Sequence, residues 1–174
     1  MSRPPRIRAE DRGLARVLVI DNPAKRNALD FQALEELEEA CARAARDGVR
    51  CLVLRGSGDE AFSSGFDIAE MALTSRRGDR PDEAVERTAD VLSEVPCPTL
   101  AFLNGFAFGG ACGLAATCDR RVGGAGVKLA MPPAKLGVVC PEGGLRRFAD
   151  LVGSARAREL FFTGRPIDAE PALA

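Results

Sequence analysis

Residues 103–119, LNGFAFGGACGLAATCD, constrain this chain more than any other stretch. An apolar run ends at Asn104-Gly105, and Gly109-Gly110 opens a run of small residues at helical spacing. A glycine pair at a helix start lets the backbone approach a ligand closely, because no Cβ stands in the way. The first N–H groups of such a helix have no partner inside it and point outward. Together they make a site for a negatively charged oxygen. The alternative at this point is a bend that only packs a helix against a sheet.

The rest of the chain alternates strand and helix patterns around that stretch. Residues 1–12, rich in Arg and Pro, read as a loose lead-in with room for a short edge strand. Residues 14–21 (LARVLVID) read as a strand that Asn22-Pro23 breaks. Asp30 is placed to cap a helix in which Leu34, Leu37, Cys41 and Ala44 recur at helical spacing. Glu35, Glu36, Glu38 and Glu39 lie between them and read as a solvated face; Gly48 ends the helix. A strand is expected at 49–54, a Gly-containing loop at 55–67 and a short helix capped by Asp67. A charged linker at 75–82 leads to a helix at 83–94 with Ala84, Val85, Thr88, Val91 and Leu92 on its apolar side. Strands follow at 99–103, 119–122 and 127–131, then a mostly looped 134–144 and helices at 145–151 and 155–162. Arg146 and Arg147 read as solvated or as available to an anion. This alternation predicts an α/β fold with a largely parallel sheet and right-handed crossovers.

Composition narrows the function. The chain has 174 residues, 46% of them hydrophobic, enough for one core. A net charge of -1 argues against nucleic acid or an acidic membrane surface as partner, and no apolar run is long enough to span a bilayer. The absence of histidine excludes a Ser-His-Asp triad and any His-ligated metal, so no metal site is expected. Proton transfer then falls to Asp, Glu, Lys or Cys. The six cysteines, at 41, 51, 97, 112, 118 and 140, form no C-x-x-C and read as buried free thiols in a reducing cytoplasm.

Three blocks in order, NPAKRNAL at 22–29, AFSSGFDIAEM at 61–71 and NGFAFGGACGLAATCD at 104–119, closely resemble the crotonase superfamily, the enoyl-CoA hydratase/isomerase family. The resemblance covers nearly the whole chain. It implies a ββα spiral over residues 13–174 that binds an acyl-CoA thioester, with coenzyme A arriving as part of the substrate and no separate cofactor. It also implies an oxyanion hole formed by two backbone N–H groups, which here match Phe66 and Gly110. Two fixed donors aimed at a thioester oxygen stabilise the enolate left when a proton departs the α-carbon. By the same resemblance Lys25 or Arg26 pairs with CoA phosphates, or is an ordinary solvated loop charge. Ala28 lines the approach, while Ser64, Gly65, Asp67 and Ile68 border the adenine and pantetheine, with Gly109 beside the oxyanion. Phe66 stands where the family often has a small residue, so its ring must turn away from the thioester or narrow the pocket.

The sequence departs from the family in two respects. The two glutamates of a hydratase match Gly113 and Pro133 here, so both carboxylates are missing and water addition has no evident base. The segment Cys140-Pro141-Glu142-Gly143-Gly144 is similar to the P-E-G-G segment of Δ3-Δ2 enoyl-CoA isomerases, which makes Glu142 a candidate base in a pocket of Ala, Leu, Val and Phe that raises its pKa. Its alternative role is to cap the helix that follows. The family's chains also continue into C-terminal helices that close the acyl pocket and build a trimer or dimer of trimers, and these are absent here. The reading is an isomerase-like acyl-CoA enzyme. The alternatives are an inactive acyl-CoA-binding or assembly subunit, and a hydrolase or decarboxylase that needs only the oxyanion hole.

Overall fold

One unit recurs along the chain: a strand in a large sheet, a strand in a small sheet, then helix. β3 (Cys51–Gly56) and β4 (Ala61–Ser63) are followed by α2 (Ile68–Thr74) and α3 (Pro81–Ser93). β5 (Thr99–Leu103) and β6 (Phe106–Phe108) are followed by α4 (Gly110–Thr117). β7 (Arg120–Gly123) and β8 (Lys128–Ala130) are followed by α5 (Pro133–Leu136). Ahead of these turns come β1 (Ile7–Arg12), β2 (Ala15–Ile20), a 3-10 turn at Pro23–Lys25 and α1 (Phe31–Arg46). After them come α6 (Glu142–Val152), α7 (Ser154–Thr163) and β9 (Ile167–Asp168). The structure is a computed structural model and describes residues 4–74 and 80–169.

The large sheet has the order β1-β2-β3-β5-β7 and is parallel except for β1; the small one runs β4-β6-β8-β9 and is parallel except for β9. Strand alternation sends Leu52 and Leu54 of β3 inward beside Leu18, Ile20, Ala101 and Leu103. Leu34 and Leu37 of α1, Leu92 of α3 and Leu114 of α4 close over them. Each such leucine contributes about 1.5–3 kcal/mol by leaving water. A second cluster joins Cys112 and Ala116 of α4 to Phe148 of α6 and Phe161 of α7, whose rings meet edge-on at 5.3 Å.

The local signals hold where backbone chemistry decides them. Asp30 caps α1 by accepting the Ala33 N–H at 2.8 Å, and Asp67 caps α2 by accepting the Ala69 N–H at 2.9 Å. Gly48 follows the end of α1 with φ +67°.

Other readings change. Residues 7–12 are not loose: β1 pairs along its length with β2, from Ile7↔Ile20 to Arg12↔Ala15. Its start is tied by Glu36, whose carboxylate accepts the Arg6 and Ile7 N–H groups at 2.6 and 2.8 Å. Glu38 accepts the Thr88 hydroxyl at 2.7 Å. Two of the four acids on α1 therefore hold neighbouring elements rather than forming a solvated face. Residues 134–144 contain α5 and the first turn of α6. β4 and β6 escape a sequence reading because they are three residues each, too short for a period to emerge, whereas β8 lies within the strand read at 127–131. Most of the linker read at 75–82 lies outside the described residues, with α3 beginning at Pro81.

Candidate functional site

β4 and β6 are parallel neighbours, with Ala61 opposite Phe106 and Ser63 opposite Ala107. The loops leaving their carboxyl ends therefore lie side by side, the place where parallel sheets bind ligands. One loop carries Gly65-Phe66 and the other Gly109-Gly110. Gly65 has φ +89°, and a Cβ there would stand 2.5 Å from the Phe108 carbonyl oxygen and 3.6 Å from the Gly110 nitrogen. Only glycine lets the two loops come this close.

Leu29 fixes the direction of the first donor. Its N–H donates to the Gly65 carbonyl at 2.8 Å, and its own carbonyl accepts the Asp67 N–H at 2.7 Å. In this isolated parallel bridge the residue facing Leu29 is Phe66, whose N–H points the other way. The second donor is the Gly110 N–H in the first turn of α4, entered through Gly109 at φ 55°, ψ -127°. Neither N–H makes a hydrogen bond among the described residues. The Phe66 ring packs edge-on against Phe31 of α1, with centroids 5.1 Å apart, so it is turned into the core. Phe66 and Gly110 thus stand on neighbouring loops, with the Phe66 ring packed against Phe31.

The 22–29 loop is stitched to the 64–67 loop. The Ser64 N–H donates to the Arg26 carbonyl at 3.0 Å and the Ser64 hydroxyl to the Lys25 carbonyl at 3.1 Å. Lys25 forms an ion pair with Asp67, so two of the expected CoA-binding groups hold each other. The Lys25 ammonium, followed by the backbone donor of Ala69, keeps the Asp67 carboxyl below its usual value against the opposing effect of burial. Arg26 pairs with Glu60 at 3.1 Å. The Ala28 side chain is buried beneath the loop, and Ile68 is exposed at its rim.

Sequence reading did not single out Asn27, which is 1% exposed. Its amide donates to the Ser57 and Ala61 carbonyls at 2.9 and 2.8 Å, and its oxygen accepts the Asn22 N–H at 3.2 Å. Arg26 and Asn27 both hold positive φ, at 52° and 58°. An asparagine, which tolerates the left-handed conformation, just ahead of the apolar Ala28-Leu29 was the available signal.

The carboxylates are placed differently from expectation. A Cβ at Gly113 would meet nothing within 4 Å, so that helix position faces open space. Pro133 opens α5. Glu142 lies at the start of α6, 84% exposed, with Oε1 2.6 Å from Arg146. The apolar pocket expected around it is not there, because its side chain leaves the helix on the solvent side. It does stand in the first turn of α6, at the positive end of that helix, where its alternative role has it.

A second carboxylate meets the same helix start. Glu86 of α3 is 21% exposed, with Oε1 3.2 Å from Arg147. A Cβ on Gly143 would lie 2.1 Å from Glu86 Oε1. Arg147 is therefore engaged by α3 rather than solvated. The i, i+4 repeat of Asp82, Glu86 and Asp90 on one face of α3 was the sequence signal for this contact.

The cysteines are all free, and Cys41, Cys112 and Cys118 are buried. Burial pushes each of these three thiols up to about 12, so they are inert packing groups. No group of His, Cys, Asp and Glu suited to a metal occurs among the described residues. An open groove of about 800 Å³ runs between α4, α6 and α7, lined by Cys112, Phe148, Leu160 and Arg156, but neither Phe66 nor Gly110 borders it.

A family model described as enoyl-CoA hydratase/isomerase matches residues 10–174. A short-chain-enoyl-CoA hydratase of Clostridium acetobutylicum is 32% identical over 169 residues, covering 94% of this chain and 64% of that protein. A crotonyl-CoA hydratase of Syntrophomonas wolfei is 35% identical, covering 90% of this chain and 61% of that protein. The crystal structure of an enoyl-CoA hydratase/carnithine racemase from Magnetospirillum magneticum superposes with a TM-score of 0.90 at 28% identity, covering 97% of this chain and 64% of that one. The chain thus spans less than two thirds of the length of these relatives.

Proposed function

The chain belongs to the enoyl-CoA hydratase/isomerase family, and from that premise we propose that it acts on acyl-CoA thioesters by holding an enolate oxygen between the Phe66 and Gly110 N–H groups. The observation that carries this reading is the pair of unengaged donors on adjacent loops at the carboxyl ends of β4 and β6. Removal of an α-proton places negative charge on the thioester oxygen. Donors fixed before the reaction stabilise that charge without reorganising, and one such donor is worth about 3–4 kcal/mol of barrier. The Gly110 donor also has the positive end of the α4 dipole behind it.

Within the family, an isomerase-like reaction suits the residues better than hydration. Adding water calls for one group to activate the water and another to deliver a proton, and positions 113 and 133 are glycine and proline. Moving a double bond needs a single carboxylate that removes a proton from C2 and returns it at C4. The outward placement of Glu142 favours a second reading, an acyl-CoA binder without turnover.

The test is a calorimetric titration with a 3-enoyl-CoA beside an absorbance assay for the conjugated 2-enoyl product. Binding with double-bond migration is the expected result. Binding with no product leaves the binder, and no binding overturns both readings.

A further inference from the structure

Two carboxylates meet the first turn of α6, and they face opposite ways. Glu142 points to solvent and is held there by Arg146 at 2.6 Å. Glu86 reaches α6 from α3 and is mostly sheltered. Its neighbour in the chain, Val85, closes on the oxyanion site: a Cβ at Gly110 would lie 3.1 and 3.2 Å from the two Val85 methyl groups. Glu86 follows Val85 on α3, and its carboxylate reaches the start of α6. A Cβ on Gly143 would collide with Glu86 Oε1 at 2.1 Å, and one on Gly144 would stand 3.5 Å from Oε2. The glycine pair after Glu142 is therefore the space that Glu86 occupies. Arg147 holds Oε1 at 3.2 Å, while Oε2 accepts no hydrogen bond among the described residues. The groups around this carboxylate are Arg147 and Cys140 on the α6 side, with Asp82 and Asp90 on α3 itself.

We infer that Glu86, rather than Glu142, is the carboxylate that moves the substrate proton, with Arg147 as its positioning residue; this rests on the acyl-CoA reading above. In the step, Glu86 Oε2 takes the proton from C2 of the thioester. The C2–H electron pair becomes the C1–C2 π bond, and the carbonyl π pair moves onto the oxygen held by Phe66 and Gly110. The negative charge passes from carboxylate to oxyanion, and Glu86 becomes neutral. Returning the proton to C4 of a 3-enoyl substrate completes isomerisation with no other reactant.

The experiment compares the full chain with Glu86→Gln, Glu86→Asp and Glu142→Gln. It measures acyl-CoA binding by calorimetry, deuterium uptake at the α-carbon from D2O, and the dependence of uptake on pH. The expected result is that Glu142→Gln leaves uptake nearly unchanged. Glu86→Gln loses about 100-fold or more and its acid limb, with binding retained. Glu86→Asp keeps the charge that pairs with Arg147 but draws the carboxylate back, and it loses uptake as well. Two outcomes overturn the inference: loss in Glu142→Gln with retention in Glu86→Gln, or full rescue of uptake by Glu86→Asp, which marks Glu86 as a structural tie only. Absence of binding in the unsubstituted chain removes the acyl-CoA reading itself, and the calorimetric signal distinguishes that failure from the other two.

Discussion

Leu29 commits both its backbone hydrogen-bonding groups to the residues flanking Phe66, donating to the Gly65 carbonyl at 2.8 Å and accepting from the Asp67 N–H at 2.7 Å. The N–H of Phe66 is left facing away from Leu29, and the adjoining Gly65 brings the loop against Gly110. An anion site made of backbone cannot be deleted side chain by side chain. It is disturbed only by changing what shapes the backbone.

Gly65→Ala is the sharpest such change. The new Cβ must adopt φ +89° and would fall 2.5 Å from the Phe108 oxygen, which is backbone and cannot move aside. Separation of the two donors is expected to lower turnover by about 100-fold or more. Gly110→Ala meets only the Val85 methyls, at 3.1 and 3.2 Å, and should retain most activity because its N–H remains. Rates of both variants, measured on the same thioester, check the contrast.

Gly113→Glu tests the missing hydratase carboxylate. The position faces open space on α4, so the side chain is accommodated. Replacing an interior helix glycine should leave the melting temperature unchanged or raise stability by about 0.5–1 kcal/mol. The second hydratase position is still Pro133, so this change alone is expected to give no water addition to a 2-enoyl-CoA, read by loss of enoyl absorbance.

Asn27→Ala removes three hydrogen bonds from a side chain that is almost fully buried, leaving the Ser57 carbonyl and the Asn22 N–H without this partner. A cost of about 1–3 kcal/mol is expected, measured by denaturant unfolding. Because Asn27 anchors the 22–29 loop, affinity for the CoA ester should fall as well.

The Lys25–Asp67 pair makes stability depend on acid. The Asp67 carboxyl is held below its unfolded value, so its contribution is fully present above about pH 4 and is lost as pH falls through the folded value. Lys25→Met should lower stability at neutral pH by no more than about 1 kcal/mol, since the lysine is largely exposed. Melting temperatures of the variant and the original chain should then converge as pH drops below 4. CoA-ester binding should weaken too, and less so at high salt.

Much of the architecture was legible locally. The caps at Asp30 and Asp67 and the stop at Gly48 depend on backbone chemistry within a turn, which neighbouring residues dictate. The pairing of the Phe66 and Gly110 N–H groups was legible only through the joint presence of the SGFD and FGG blocks. What sets those blocks side by side is the parallel pairing of β4 with β6, two strands too short to recognise in advance. Glu36 and Glu38 illustrate the limit: on a helical wheel they are surface acids, yet their partners lie on β1 and α3.

The sequence by itself determined where the chain bends and where helices start, and it marked Gly109-Gly110 as a helix start open to close approach, because φ preferences, caps and missing Cβ atoms act over a few residues. Tertiary structure decided which way the acidic and aromatic side chains point. Glu142 and Glu86 are equally acidic in sequence, but the contact of α3 with the start of α6 exposes one and shelters the other. Phe31 turns the Phe66 ring into the core in the same way. Such directions depend on partners tens of residues away, and packing across elements sets them rather than the local chain.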